Sequence, residues 1–305
     1  MRFKKLDLNL LVALDVLLKE QSITRAAEQL SLSPSAMSNS LFRLREYFDD
    51  DLLTKMGRKM EITPLGIRLQ QPVRDALIRI ESTILLQPSF DPQKTDRVFS
   101  ILCSDYTQMV LGPYLMALIG EQKSTAKFQF LPQTNNPNKH LEQGEADLLI
   151  IPSRFMSPDH PYEVLYEEGF VCLVWSQSDL AKVDLTLDRY NQAGHVMMQP
   201  NNMNNRKDHF EYVATKQLKI QRRVMATTYS FTALPTLVIG TENIATVHAR
   251  LANKVTQVWP IDIRPLPLVI EPMKQCLQWH HYKTKDAGLV WLRELMQEAA
   301  KRMDA

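Results

Sequence analysis

Glycine is scarce in this chain, with nine residues in 305. Loops that cradle phosphates need glycine where backbone must approach an anion closely. The patterns Gly-x-x-x-x-Gly-Lys, Gly-x-Gly-x-x-Gly and Gly-x-Ser-x-Gly do not occur, so the readings as nucleotide-binding protein, dinucleotide-binding protein or serine hydrolase lose their usual signatures. Cysteine is as sparse: Cys103, Cys172 and Cys276 stand far apart, with no Cys-x-x-Cys pair. Neither a disulfide framework nor a zinc site is suggested, and small buried thiols in a reducing compartment are expected. The histidines include the adjacent pair His280 and His281 but no His-x-x-x-His, so no metal and no cofactor is expected and the chain is not read as an enzyme. No apolar run approaches the ~18 residues of a membrane span. In the N-terminal stretch Asp7, Asn9 and Asp15 interrupt the apolar residues, and no small-residue cleavage site follows. A secretory leader is therefore not read, no membrane partner is expected, and the expected location is cytoplasmic.

What is present is ample material for cores. Hydrophobic residues make up 45% and charged residues 23%, which suits two or three folded domains rather than disorder. The net charge of +2 is only a weak pointer to a polyanionic partner.

The first segment is more specific. Leu6, Leu10, Val12, Leu14, Leu17 and Leu18 recur at near-helical spacing. A second helix is expected after Ser22, a capping residue, with small Ala26 and Ala27 allowing close approach of a neighbour. Ser33 followed by Pro34 is a cap and then proline at the first helical position, so a third helix spans 33–48. Ala36, Met37, Leu41, Leu44 and Phe48 give its buried stripe. Ser35, Ser38, Asn39, Phe42, Arg43 and Arg45 give its outer face, and no acidic residue lies between Glu28 and Glu46. A carboxylate-free face of short polar groups plus arginine suits a phosphate-lined groove, where Ser and Asn reach base edges and Arg binds guanine or phosphate. From this pattern alone an ordinary helical hairpin with a polar outer face is an equal alternative. The segment 53–62 tips the balance. It reads as a hairpin with Gly57 at its centre and Lys55, Arg58 and Lys59 around it, a basic wing beside a helix-turn-helix.

The run from Leu6 to Leu18, Ala26-Ala27, LSLSPSAMSNSLFRLREYF at 30–48 and LLTKMGRKMEITPLG at 52–66 resemble, in order and spacing, the LysR-type transcriptional regulators. Pro34-Ser35 stands where many members carry Gln-Pro. Within the family, MRFKKLDLNLLVALD, YFDDDLLTKMGR and EEGFVCLV are most similar to the branch holding the flavonoid-responsive nodulation regulators and the naphthalene- and nitroaromatic-degradation regulators. The resemblance implies an α/β protein: an N-terminal winged helix-turn-helix over 1–63, a long linker helix over 64–87, a hinge over 88–96, and a two-lobed effector domain over 97–305 similar to a periplasmic binding protein. Lobe one takes about 97–166 and 268–305, and lobe two about 167–267. The residues assigned to double-stranded promoter DNA are Thr24, Ser33, Pro34, Ser35, Ser38, Asn39, Arg43, Lys55, Arg58 and Lys59.

In the linker, Leu65, Leu69, Val73, Ala76, Ile80 and Ile84 form a seam for a partner helix, interrupted by Pro72, where a kink is expected. The resemblance implies that this helix pairs two subunits and that dimers commonly join into tetramers. A helix packed on its own domain is the alternative.

From residue 97 apolar runs alternate with amphipathic helices. Strands are expected at 98–104, 127–133, 147–153, 170–175, 195–199, 222–230 and 243–250, with a return strand within 268–281 and a closing helix at 286–303. In open α/β sheets ligands bind beyond the carboxyl ends of strands. That rule selects Ser104, Asp105, Tyr106, Thr107, Gln133, Thr134, Asn135 and Arg154 in lobe one, and Gln199, Asn201, Tyr229, Ser230, Phe231, His248 and Arg250 in lobe two. Trp279 lies near the return to lobe one. Hydroxyls, amides and aromatics suit a small planar co-inducer, and Arg154 and Arg250 suit an oxyanion. The alternative readings are Tyr106 and Tyr229 as core residues with satisfied hydroxyls, His248 as a structural residue, which such a histidine more often is, and Arg250 as a member of a surface ion pair. The expected function is DNA-binding regulation in which a cleft ligand, aromatic by branch resemblance, changes oligomer geometry, promoter bending and recruitment of RNA polymerase. The rival is a small-molecule binding protein whose N-terminal helices mediate only protein contacts.

Overall fold

The computed structural model describes residues 2–3, 6–57, 59–84, 89–198 and 222–304, with the backbone alone at Arg2, Phe3 and Lys59. Arg58, Gln199 and Asn201 lie outside the described residues. The chain divides into two compact units, Met1–Gln87 and Pro88–Ala305.

The first unit opens with β1 (Arg2–Phe3) paired antiparallel to β2 (Leu6–Asp7), followed by α1 (Asn9–Glu20), α2 (Ile23–Gln29) and α3 (Pro34–Phe48). Serines start the second and third helices: Ser22 Oγ accepts from Arg25 N at 3.3 Å, and Ser33 Oγ from Ala36 N at 3.1 Å. The turn between α2 and α3 is closed by Ser31 in the left-handed region (φ 53°). Around it Leu32 N–H donates to Ala27 O at 2.8 Å and Ser31 N–H to Glu28 O at 3.1 Å, which satisfies the last carbonyls of α2. Ala26 and Ala27 are buried, and their small size lets α2 seat among Leu14, Leu17 and Leu18 of α1 and Met37, Leu41 and Leu44 of α3. A two-stranded wing, β3 (Leu53–Met56) and β4 (Lys59–Ile62), follows. Its base is pinned by Asp50, whose Oδ1 accepts from Leu52 N at 2.7 Å and Thr63 Oγ1 at 2.6 Å.

The long helix α4 (Pro64–Ile84) continues through Pro72. Its expected seam divides. Leu69 and Val73 pack into the N-terminal core, whereas Ile80 and Ile84 are exposed. An ion pair between Arg74 and buried Asp15, 2.7 Å apart, and a hydrogen bond from Gln70 Nε2 to Leu18 O at 3.3 Å fasten α4 to α1.

The second unit holds two five-stranded sheets. In lobe one, β5 (Val98–Cys103), α5 (Asp105–Glu121), β6 (Lys127–Pro132), α6 (Pro137–Glu142) and β7 (Leu148–Pro152) make a parallel βαβαβ unit. β8 (Tyr162–Glu168) belongs to the same sheet. One residue later, at Gly169, the chain crosses to lobe two with β9 (Phe170–Trp175). Lobe two continues through α7 (Leu187–Gln192), β10 (Gly194–Met198), β11 (Arg223–Thr228), β12 (Asn243–His248), α8 (Ala249–Val255) and β13 (Ile261–Pro265). Its sheet order is β11-β10-β12-β9-β13. The chain returns as β14 (Met273–Trp279), which inserts between β7 and β8 antiparallel to both, and closes with α9 (Ala287–Asp304) packed on α5. Four strands stand where none was expected, β1, β2, β8 and β13.

Candidate DNA interface and effector cleft

On α3 the residues three and four apart, Ser35, Ser38, Asn39 and Phe42, share one exposed face, and Phe42 is 59% exposed. Ser38 Oγ donates to Pro34 O at 2.8 Å and keeps lone pairs outward. The Asn39 side chain is exposed and makes no hydrogen bond among the described residues, so its amide is available to a base edge. Ser33 and Pro34 form the exposed amino end of α3, with Ser33 Oγ already engaged by Ala36 N and by Ser35 Oγ at 2.9 Å. Thr24 is exposed at the start of α2, and Lys55 is exposed next to the wing tip, where Gly57 adopts φ +64°. Two arginines have partners within the unit. Arg43 Nη2 lies 3.3 Å from Asp7 Oδ2. The Asn9 N–H, and then Arg43, hold the Asp7 carboxyl below its ordinary range. Arg45, expected on the outer face, turns inward and donates to Asp51 O at 2.8 Å and Leu53 O at 2.6 Å, bracing the base of the wing.

In the second unit the carboxyl ends of the parallel strands of both lobes meet. Ser104 caps α5, and Asp105 in its first turn reaches lobe two. Asp105 Oδ2 accepts from Ser230 Oγ (2.6 Å), Thr232 Oγ1 (2.8 Å) and Thr232 N (3.0 Å), and Oδ1 from Phe231 N (3.3 Å). Burial opposes ionisation of Asp105, but these donors outweigh it and the carboxyl titrates below its ordinary value. Beside this clasp Tyr106 stacks on His248 with centroids 3.9 Å apart, and Phe231 and Phe170 close around the same imidazole at 4.9 and 5.1 Å. Burial lowers His248 to about 3, so it is neutral, and its Nδ1 is buried without a hydrogen bond among the described residues. Tyr106 Oη donates to the fully buried Glu168.

The expected ligand residues therefore separate. Asp105, Ser230 and Phe231 bond to one another across the lobes. Tyr106 and His248 form a buried aromatic stack. Ser104 and Thr107 are buried, and Thr107 Oγ1 accepts from Gln275 Nε2 at 3.0 Å. Gln133, Asn135 and Arg154 are exposed, with Arg154 lying over the Phe155 ring at 4.6 Å. Thr134 Oγ1 is buried without a hydrogen-bond partner among the described residues. Tyr229 is 73% exposed.

Two assignments are corrected. The Arg250 guanidinium is engaged by Glu167 O (2.6 Å), Glu168 Oε2 (3.1 Å) and Asp304 Oδ1, so it anchors the junction of the lobes to the C-terminal helix instead of meeting a ligand anion. Trp279 sits at the opposite end of the sheet. β14 runs antiparallel to β7, so Gln275 faces Pro152 at the cleft end while Trp279 faces Leu148. There its Nε1 donates to Thr284 Oγ1 at 3.1 Å, and Arg293 lies 3.9 Å over the ring.

Sequence reasoning missed Thr232, Glu168 and Gln275. A signal for Gln275 existed: a polar side chain inside an apolar strand must find partners when buried. All three cysteines are buried, and burial pushes the Cys103 thiol up to about 12.

Comparison with known proteins agrees with this geometry. The family described as bacterial regulatory helix-turn-helix protein, lysR family, matches residues 8–67, and the LysR substrate binding domain matches residues 93–301. Nodulation protein D 1 of Rhizobium leguminosarum bv. phaseoli is 37% identical over 303 residues, covering 99% of this chain and 96% of that protein. Nodulation protein D of Bradyrhizobium sp. (strain ANU 289) is 34% identical over 303 residues, covering 99% and 89%. A full-length OxyR variant from Pseudomonas aeruginosa shares the fold with a TM-score of 0.71 at 15% identity, covering 97% of this chain and 95% of that one. Matched along both units, the chain belongs to the LysR family of transcriptional regulators, which bind DNA and small-molecule effectors and are not enzymes.

Proposed function

We propose that this regulator answers a small, planar, aromatic effector received where the two lobes meet, and that the effector redistributes the protein between two arrangements with different promoter geometry. The observation that carries the reading is the clasp of Asp105 on residues 230–232 beside the Tyr106–His248–Phe231–Phe170 aromatic group. A ligand with aromatic faces and a few polar atoms can compete for both kinds of contact, and only such differential contact shifts a two-state equilibrium. Thr134, with its buried hydroxyl, and exposed Arg154 and Tyr229 supply further polar and aromatic contacts.

The operator is read by Ser35, Ser38 and Asn39 from α3. Arg43, Lys55, Arg58 and Lys59 bind phosphate, and Thr24, Ser33 and Pro34 flank them. The organisation of reader (1–63), linker (64–87), hinge (88–96) and effector domain (97–305) serves this division of labour. A dimer forms through α4, where Ala76, Ile80 and Ile84 recur every fourth residue and Ile80 and Ile84 are exposed. Two dimers then assemble as a tetramer in the cytoplasm that contacts RNA polymerase at the promoter.

The test is a thermal-shift screen on the full-length protein, comparing planar phenolic aromatics with non-aromatic acids. Stabilisation by the aromatics that shrinks in Asp105→Ala and Phe231→Ala supports the reading; stabilisation by non-aromatic acids alone overturns it.

A further inference from the structure

A second cluster lies at the end of lobe one away from the cleft. His280 and His281 follow directly on β14, and His160 reaches them from the loop before β8, 120 residues earlier. That loop is fixed from inside. Gln278, fully buried, accepts from Ser157 N at 3.0 Å and donates to Ser157 O at 2.8 Å and His160 O at 3.0 Å. His160 is thereby held beside the end of β14 by backbone, not by chance rotamers.

We propose that His160, His280 and His281 bind a borderline divalent transition-metal ion, with Zn²⁺ as the representative. One nitrogen from each ring lies within 4.8 Å of the others. The Nδ1 atoms of His160 and His281 are 3.2 Å apart. Two nitrogens on one tetrahedral ion, at metal–nitrogen distances of ~2.0–2.1 Å, are separated by ~3.3 Å. One pair therefore already has the bite of a chelate, and the third nitrogen has to close by at most about 1.5 Å, within reach of a ring rotation. The donor set is three imidazoles with no carboxylate, which selects zinc, copper, nickel or cobalt over magnesium or calcium. His280 Nδ1 accepts from Tyr282 N at 3.3 Å, a contact that fixes the ring and leaves Nε2 as its ligating atom, in the way outer-shell partners orient metal-bound imidazoles. Exposed His281 provides the entry path, while His160 and His280 are buried. The Lys283 ammonium, whose charge acts on His280, is paired to Asp147 at 2.9 Å, which offsets its repulsion of a cation. An ion here joins the end of β14 to the loop before β8 and stabilises the lobe at the edge opposite the effector cleft.

The experiment uses tag-free full-length protein freed of metal by chelator and titrated with Zn²⁺, Co²⁺ or Mg²⁺, reading calorimetry, melting temperature and the Co²⁺ absorption spectrum. The expected result is one Zn²⁺ or Co²⁺ per chain, a raised melting temperature and no response to Mg²⁺. Because His281 is exposed, His281→Ala folds. It is expected to weaken binding at least about tenfold, with binding restored in His281→Cys and unaffected by His140→Ala. Absence of saturable binding, an equal response to Mg²⁺, or unchanged affinity in His281→Ala overturns the proposal.

Discussion

Replacing Asp105 by alanine removes the acceptor that ties lobe one to residues 230–232. Four lobe-two donors meet this carboxylate, two hydroxyls at 2.6 and 2.8 Å and two amides at 3.0 and 3.3 Å. A hydrogen bond to a charged group contributes ~1.5–3 kcal/mol net. The Ser230 and Thr232 hydroxyls can rotate to each other, 3.0 Å apart, or to water, so the two amides carry most of the loss. Taking these at the lower end gives a destabilisation of about 3 kcal/mol, or roughly a hundredfold change in the clasped-to-open ratio. Hydrogen exchange on the full chain reads this directly. The amides of Phe231 and Thr232 lose protection in Asp105→Ala, whereas those of β5 and β7 keep theirs. Because the Asp105 carboxyl titrates below its unfolded value, the clasp's contribution is fully present above pH ~4 and is lost as pH falls through the lower folded-state value. The same amides deprotect in acid in the wild type. Unchanged exchange at Phe231 and Thr232 in the variant, or deprotection only on raising the pH, would show that Asp105 does not hold the two lobes together there.

Gly66→Ala places a methyl 2.5 Å from Ile62 Cγ2 and 2.8 Å from the Leu52 carbonyl, which is itself held by Thr63 N. A loss of ~1–3 kcal/mol in urea denaturation is expected, because backbone cannot give way there. Arg250→Ala leaves Glu168 buried without its cation and is expected to cost ~3–5 kcal/mol in the same assay, with Arg250→Lys recovering little because one ammonium cannot span Glu167, Glu168 and Asp304. Asp7→Asn releases Arg43 toward phosphate. The slope of log affinity against log salt is expected to steepen by ~0.9, measured by fluorescence anisotropy on promoter DNA.

The DNA-reading end was legible because its signals are local. Ser33-Pro34 announces the start of α3, the small pair Ala26-Ala27 marks a close approach, and the acid-free outer face needs no distant partner to be seen. The cleft was legible only as a set of strand ends. β8 escaped notice because its YEVLYEE carries three glutamates in seven residues, one of which, Glu168, is fully buried against Tyr106 and Arg250. Its partners are 62 and 82 positions away. Trp279 was assigned to the wrong end because composition does not reveal strand direction, and β14 runs against its neighbours. The linker stripe divides: period alone does not say whether it faces its own domain, as Leu69 and Val73 do, or solvent, as Ile80 and Ile84 do. The histidine cluster joins residues 160 and 280–281, a juxtaposition made by the sheet order and invisible to spacing rules.

Reading of operator DNA by the exposed face of α3, as proposed, is measured by equilibrium binding of Asn39→Ala to a footprinted site upstream of the protein's own gene, with a scrambled fragment as reference. The Asn39 side chain is exposed and has no hydrogen-bond partner among the described residues, so the fold and melting temperature stay unchanged. Loss of a base-edge contact worth ~1–3 kcal/mol lowers specific affinity by about 5- to 150-fold and leaves scrambled DNA unaffected. Equal affinity of Asn39→Ala and wild type for the footprinted site means that α3 does not read the operator through Asn39.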